Sequence, residues 1–161
     1  MGLRCGGGLF VSRGYQASGL FESDLMSSVD VQHYLGRARD FLEGMEILKN
    51  DPPEYRYSSA LLGIHSAMSY GDALRVGLGS RKVSSQDHRG AAKDLRSLLD
   101  AKGFEKPQGV DRLRYLLAKK SRTAYGSETP GNTEIQEIVL QAERFAAWAE
   151  ESGRKLKIEG W

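Results

Sequence analysis

Four residues near the end of a basic segment have the types that hold phosphate groups and stack on bases. Lys119, Lys120 and Arg122 shortly precede Tyr125. Lysine and arginine neutralise phosphate charge, and an aromatic ring can stack on a nucleobase. The same cations could instead complement the dipole of a helix C-terminus, which requires no ligand. Both interpretations stay open on the sequence alone.

A second group of polar residues surrounds an apolar segment. His65 and Asp72 are spaced so that a helix would place both on one face. A buried carboxylate needs a partner, and the sequence predicts a polar cluster made of five side chains: His65, Asp72, His88, Lys120 and Tyr125. Such a cluster could bind a ligand, or it could be a structural network that keeps the helices in register. His65 could also be a core histidine satisfied by one hydrogen bond.

Arg81 and His88 are separated by six residues in the segment RKVSSQDH. Cleavage of RNA without a metal ion needs a base for the ribose 2′-OH proton and a cation for the phosphorane charge. Histidine exchanges protons near neutral pH, and arginine presents a planar fork to phosphate oxygens. At a helix start, exposed N–H groups would keep the His88 imidazole neutral. Alternatively, His88 only begins a helix and bonds locally with Asp87 or a carbonyl group.

Composition excludes several classes of protein. The 161 residues are 40% hydrophobic and 27% charged, with a mean hydropathy of −0.47, which is typical of a single folded domain. No apolar run is long enough for a membrane-spanning helix. Cys5 is the only cysteine, so no internal disulfide can form, and with three histidines it is a poor basis for a zinc site. We expect no metal and no cofactor.

The charge is unevenly distributed along the chain. The net charge of +2 hides a segment, residues 75–125, in which 13 basic and 5 acidic residues give +8. A segment of this kind attracts phosphate if its cations share one surface. The alternative is that they are spread over solvated helix faces and pair with carboxylates from elsewhere.

Apolar residues recur at spacings of three and four, and no segment alternates with a period of two. This pattern predicts an all-α, up-and-down bundle of four to five helices. The predicted helices cover residues 24–49, 54–78, 87–102, 110–123 and 133–153. The second is dense in small residues and is therefore predicted to be the central helix. Residues 1–22 are predicted to be a disordered leader whose first 20 residues need not be native, 23–153 the bundle, and 154–161 a tail that frays or docks on a partner chain.

Two stretches carry a resemblance to a known family. They read SSALLGIHSAMSYGDALRVGLGSRKVSSQDHRGAAKDLRSLL and LRYLLAKKSRTAYGSETPGNTEIQEIVLQAERFAAWAEE. Their order along the chain resembles the HEPN domain family over about residues 29–152. The resemblance implies a helical bundle, commonly a homodimer, that acts on or binds nucleic acid or nucleotides. Many relatives are metal-independent RNases of toxin–antitoxin or other defence systems, and others are binding modules without activity.

The RNase signature of the family is an arginine followed, after four to six residues, by a histidine. Arg81 and His88 have this spacing, but the family places the signature near the end of a later helix. There this chain has Lys120 and Ser121 in place of arginine and a polar residue, and Tyr125 in place of histidine. Tyrosine titrates near pH 10 and is a poor base at neutral pH. The chain therefore departs from the catalytic pattern at that place.

These observations predict a cytoplasmic HEPN-like domain that binds nucleic acid or a nucleotide, forms a homodimer and belongs to a defence or toxin–antitoxin system. The predicted ligand-binding residues are His65, Asp72, Lys119, Lys120, Arg122 and Tyr125. One alternative is a metal-independent endoribonuclease that uses Arg81 and His88. The other is a non-catalytic subunit that partners a nucleotidyltransferase or an antitoxin. No association with a membrane is expected.

Overall fold

The structure, a computed structural model, describes residues 18–50, 55–80, 88–105, 108–127 and 130–161. These residues form five helices and no strand, which confirms the predicted all-α bundle. The helices are α1 (Ser18–Lys49), α2 (Arg56–Gly77), α3 (His88–Ala101), α4 (Gln108–Tyr125) and α5 (Asn132–Lys155). None of them offers an apolar stretch of the length needed to cross a membrane.

The predicted helix limits can be compared with these bounds. The ends of α2 to α5 fall within two residues of their predicted positions, whereas α1 begins at Ser18, inside the segment assigned to the leader. The rest of that leader, residues 1–17, lies outside the described residues. Gly79 and Gly103 follow α2 and α3 with φ of +95° and +66°, the left-handed conformation that commonly ends a helix.

The central position predicted for α2 is confirmed, since all four other helices pack against it. Its small residues allow close approach. A Cβ atom on Gly63 would lie 2.7 Å from the sulfur of Met45 in α1 and 2.9 Å from the Cβ of Ala142 in α5. The hydroxyl of Ser66 donates a buried hydrogen bond of 2.8 Å to the carbonyl oxygen of Ala38.

Contacts along the helices define their directions. α2 and α5 run parallel, because Arg56 at the start of α2 bonds to Asn132 at the start of α5, while Gly77 at the end of α2 meets Ile158 just after α5. α4 runs antiparallel to α5, since Lys119 near its end reaches Glu134 near the start of α5. One end of the bundle therefore contains four helix ends. They are the first turns of α2 and α5 and the last turns of α1 and α4.

The residues after α5 fold back onto the bundle. Ile158 is buried against Gly77, and the Trp161 ring lies on Gly153, where an added Cβ would come within 2.0 Å of the ring. The indole Nε1 donates a hydrogen bond of 3.3 Å to Glu150, which also accepts bonds from Arg39 and Tyr70. Burial and the nearby Glu150 carboxylate raise the pKa of Tyr70 to about 12. The segment 154–161 is thus packed on its own chain.

We predict that Gly153→Ala destabilises the protein by about 1–3 kcal/mol, because the new methyl group collides with the Trp161 ring and forces it off Gly153. Urea unfolding measures the loss. Gly36→Ala is the matched control: Gly36 lies mid-helix in α1 with no atom within 4 Å of the new Cβ, and the change should stabilise by up to about 1 kcal/mol. Equal effects of the two substitutions would contradict the packing of Trp161 on Gly153.

Candidate nucleic-acid interface

A groove of about 380 Å³ runs between α3 and α4. Its wall is formed by Ala92 of α3 and by four residues of α4: Arg114, Leu117, Ala118 and Ser121. Ala92 near the start of α3 faces residues near the end of α4, and Arg96 faces Asp111 near its beginning, so the two helices run antiparallel.

The local sequence explains why this space is open. Arg114, Ala118 and Ser121 recur at spacings of four and three, so they share one face of α4. The core-facing residues of α4 are instead Val110, Leu113 and Leu116, all buried. At positions 118 and 121 the face toward α3 carries only a methyl group and a hydroxyl, and larger side chains at these two positions would fill the groove.

Positive charge exceeds negative charge along this groove. Arg114 and Arg96 both point to Asp111, at 3.2 Å and 3.9 Å, so two guanidinium groups share one carboxylate. Lys93, which is exposed, lies one turn before Arg96 on α3. Among the described side chains of this face, one positive charge of the arginine pair is therefore left without a carboxylate of its own.

The predicted phosphate-binding residues at the end of α4 divide into two groups. Lys119 donates a hydrogen bond of 2.8 Å to Glu134 of α5 and lies 5.3 Å from the centre of the Tyr115 ring, so it joins two helices. Arg122 lies 3.6 Å from the same carboxylate. The hydrogen bond from Lys119, followed by the charges of Lys119 and Arg122, lowers the pKa of Glu134. Both cations therefore contact the same carboxylate of α5.

Tyr125 and Lys120 have different surroundings. The Tyr125 ring ends α4 and is 86% exposed, so it is available to an external partner. Lys120 is partly buried. Lys119, Arg122 and Tyr125 thus lie within the last two turns of α4, and the open groove begins beside them at Ser121.

His65 and Asp72, two members of the predicted polar cluster, contact residues outside that cluster. The ring of His65 packs 5.5 Å from that of Phe41 in α1. Asp72 accepts a hydrogen bond of 3.1 Å from Arg75, three residues further along its own helix. Arg37 of the neighbouring helix α1 also acts on this carboxylate through its charge. Lys120, which the predicted cluster includes, is not among the described hydrogen-bond partners of Asp72.

Arg75 has a structural role that was not predicted from the sequence. Its side chain is only 8% exposed, and its Nε donates a hydrogen bond of 2.7 Å to Asp94 of α3, which also accepts one of 3.2 Å from Ser80. Burial raises the pKa of Asp72, and the Arg75 charge opposes that rise. This network ties α2 to α3 and so positions one wall of the groove. The i, i+3 spacing of Asp72 and Arg75 is the sequence feature from which their ion pair could have been predicted.

Of the predicted catalytic pair, Arg81 and His88, only His88 belongs to the part of the chain that the structure describes. Arg81 lies outside the described residues. His88 is the first residue of α3, one turn before Ala92 of the groove. No group of three or more His, Cys, Asp or Glu side chains that could hold a metal ion occurs among the residues that the structure covers.

Comparisons with protein-family models, curated proteins and solved structures found no match for this chain. The HEPN resemblance therefore stays a prediction, and the function is inferred from the geometry of the α3–α4 groove and its charges.

We predict that Arg75→Met destabilises the protein by about 1–3 kcal/mol at neutral pH, because the part-buried Asp72 carboxylate loses its hydrogen-bonded cation. The raised pKa of Asp72 in the folded protein sets the sign of the pH dependence: ionisation costs stability, so the loss should shrink as the pH falls and Asp72 binds a proton.

Urea unfolding at neutral and at acidic pH measures both effects. Arg154→Met is the matched control, since that side chain is 68% exposed and its ion pair with Glu150 should contribute less than about 1 kcal/mol. A loss for Arg75→Met that is the same at both pH values would contradict the role assigned to Asp72.

Proposed function

We propose that this chain is a HEPN-like helical domain that binds nucleic acid or a nucleotide through the α3–α4 groove and the end of α4. The observation that carries the proposal is the pair Arg96 and Arg114, which flank the groove and share the single carboxylate of Asp111. A phosphate group would supply the missing negative charge, and arginine binds phosphate oxygens with two parallel hydrogen bonds.

The end of α4 adds a second feature of surfaces that bind nucleic acid, an exposed aromatic ring beside a cation. Arg122 is about half exposed, and the Tyr125 ring beside it is 86% exposed. An exposed ring next to cations can stack on an unpaired base while the cations hold the backbone. This arrangement favours a single-stranded segment or a nucleotide over a rigid duplex, because only an unpaired base can reach the face of the ring.

The HEPN resemblance carries the remaining parts of the proposal. They are a cytoplasmic location, a homodimer, and a role in a defence or toxin–antitoxin system with an antitoxin or nucleotidyltransferase as partner. Sedimentation or size-exclusion chromatography of the purified protein tests the dimer.

We expect the purified protein to bind labelled single-stranded RNA with an affinity that falls as salt rises, because bound phosphates release counterions. Fluorescence anisotropy over a series of salt concentrations measures this. Arg96→Gln with Arg114→Gln should weaken binding and lower the slope of log K against log[salt] by about 0.7 for each phosphate that the protein no longer neutralises. Tyr125→Ala should weaken binding without changing the slope.

The control is Arg154→Gln with Lys155→Gln at the end of α5, which removes the same charge from another part of the bundle. If that variant weakens RNA binding as much as the groove variant does, binding follows net charge and the groove has no special role. Binding that ignores salt would remove the electrostatic basis of the proposal.

An endoribonuclease is the second candidate, and the place of His88 at the groove end of α3 favours it. We expect any cleavage of labelled single-stranded RNA in EDTA to be abolished in His88→Ala, because the base that takes the 2′-OH proton is gone. His33→Ala is the control, since His33 lies exposed on α1. Cleavage that survives the removal of His88 would exclude it from the mechanism, and binding without cleavage would leave the protein as a binding module.

A further inference from the structure

A second cavity, of about 450 Å³, lies at the end of the bundle where the last turn of α1 meets the first turns of α2 and α5. Among the described residues, it shares no lining residue with the α3–α4 groove. Within the part of the chain that the structure covers, its aliphatic lining consists of four side chains: Leu48, Ile135, Val139 and Leu140. Its polar lining consists of Asn50, Ser59, Asn132 and Gln136 together with the charged Lys49, Arg56 and Glu143.

Arg56 is the first residue of α2, and its guanidinium is only partly satisfied. Nη1 donates a hydrogen bond of 2.6 Å to the Oδ1 atom of Asn132, and the group lies 5.2 Å from the centre of the Tyr57 ring. Its Nε is buried and has no hydrogen-bond partner. No ion pair joins Arg56 to a carboxylate of the described residues. A buried donor without an acceptor is unfavourable, because it has lost its hydrogen bonds to water and gained none in the protein.

The other arginine of α2, which is buried, shows which kind of partner Arg56 lacks. Arg75 has two carboxylates, Asp72 and Asp94, whereas Arg56 has an amide oxygen. Glu143, which is the one carboxylate in the described lining, is already engaged, because it accepts a hydrogen bond from Lys49. The charges of Lys49 and Glu143 cancel, so the described lining keeps the positive charge of Arg56.

The N-terminal ends of α2 and α5 add to the positive charge beside the cavity. Arg56 and Asn132 are the first residues of two parallel helices, and neither helix has a side-chain cap. The N-terminal end of a helix carries a partial positive charge, so a cation there is unfavourable unless an anion joins it.

We propose that this cavity binds a small carboxylate, whose anionic end pairs with Arg56 and whose apolar body lies on the aliphatic lining. A carboxylate is planar and matches the fork of a guanidinium, so a small rotation of the side chain into the cavity would give Nε and a terminal nitrogen one acceptor each. The amide groups of Asn50, Asn132 and Gln136 can donate further hydrogen bonds to the same oxygens. The aliphatic lining distinguishes this ligand from inorganic phosphate, which has no apolar body to bury.

Titration of the full chain with benzoate, followed by NMR of the Asn and Gln side-chain amides, tests the proposal. We expect saturable shifts at Asn50, Asn132 and Gln136, and weaker binding of benzyl alcohol, which has the same ring without the charge. Arg56→Met should weaken benzoate binding about tenfold or more, and Arg154→Met should leave it unchanged. Leu140→Glu should also weaken it, because it places a like charge in the aliphatic lining.

Several results would overturn the proposal. They are the absence of saturable shifts at the cavity amides, equal affinity of Arg56→Met and the unaltered protein, and inorganic phosphate binding as tightly as benzoate. If Arg56→Met fails to fold, Arg56→Lys keeps the charge without the fork, and affinity equal to that of the unaltered protein would then exclude the fork contact. The RNA experiment tests different residues, so either proposal can fail while the other stands.

Discussion

The helices α1, α3, α4 and α5 all pack on α2, and this arrangement depends on the small side chains of α2. Where α1 and α5 cross α2, Gly63 leaves room for Met45 and Ala142 at distances that a methyl group would fill. Close approach also lets the Ser66 hydroxyl reach a main-chain carbonyl of α1. Larger residues on α2 would push the outer helices apart and expose the apolar stripes that each of them turns inward.

The helices and their ends were predictable from the sequence because they follow from local chemistry. Spacings of three and four identify the inward faces, and Gly79 and Gly103 end helices by adopting a positive φ. The density of small residues also identified α2 as the central helix. The largest error is at the start of the first helix, because residues 18–23 lack a clear apolar period.

The candidate site was less predictable, because ion pairs depend on how helices are rotated against one another. The sequence identified the basic segment and the residues at the end of α4. It did not identify that Lys119 would be held by Glu134 of α5, or that Arg75 would be buried between Asp72 and Asp94. Part of the net charge of +8 along residues 75–125 is thus neutralised by ion pairs inside the fold. The positive charge that remains on the surface depends on groups such as Arg96 and Arg114, which share Asp111.

The place of α5 has a consequence for the order of events during synthesis. α5 supplies Phe145, Trp148 and Ala149 to the core, and the segment after it brings Gly160 against Ser28 near the start of the bundle. A nascent chain of which only the first 131 residues have left the ribosome would therefore present the uncovered sides of α2 and α4 to solvent. Closure of the bundle joins residues more than 130 positions apart in the sequence, so it can be completed only after α5 and the segment that follows it have emerged.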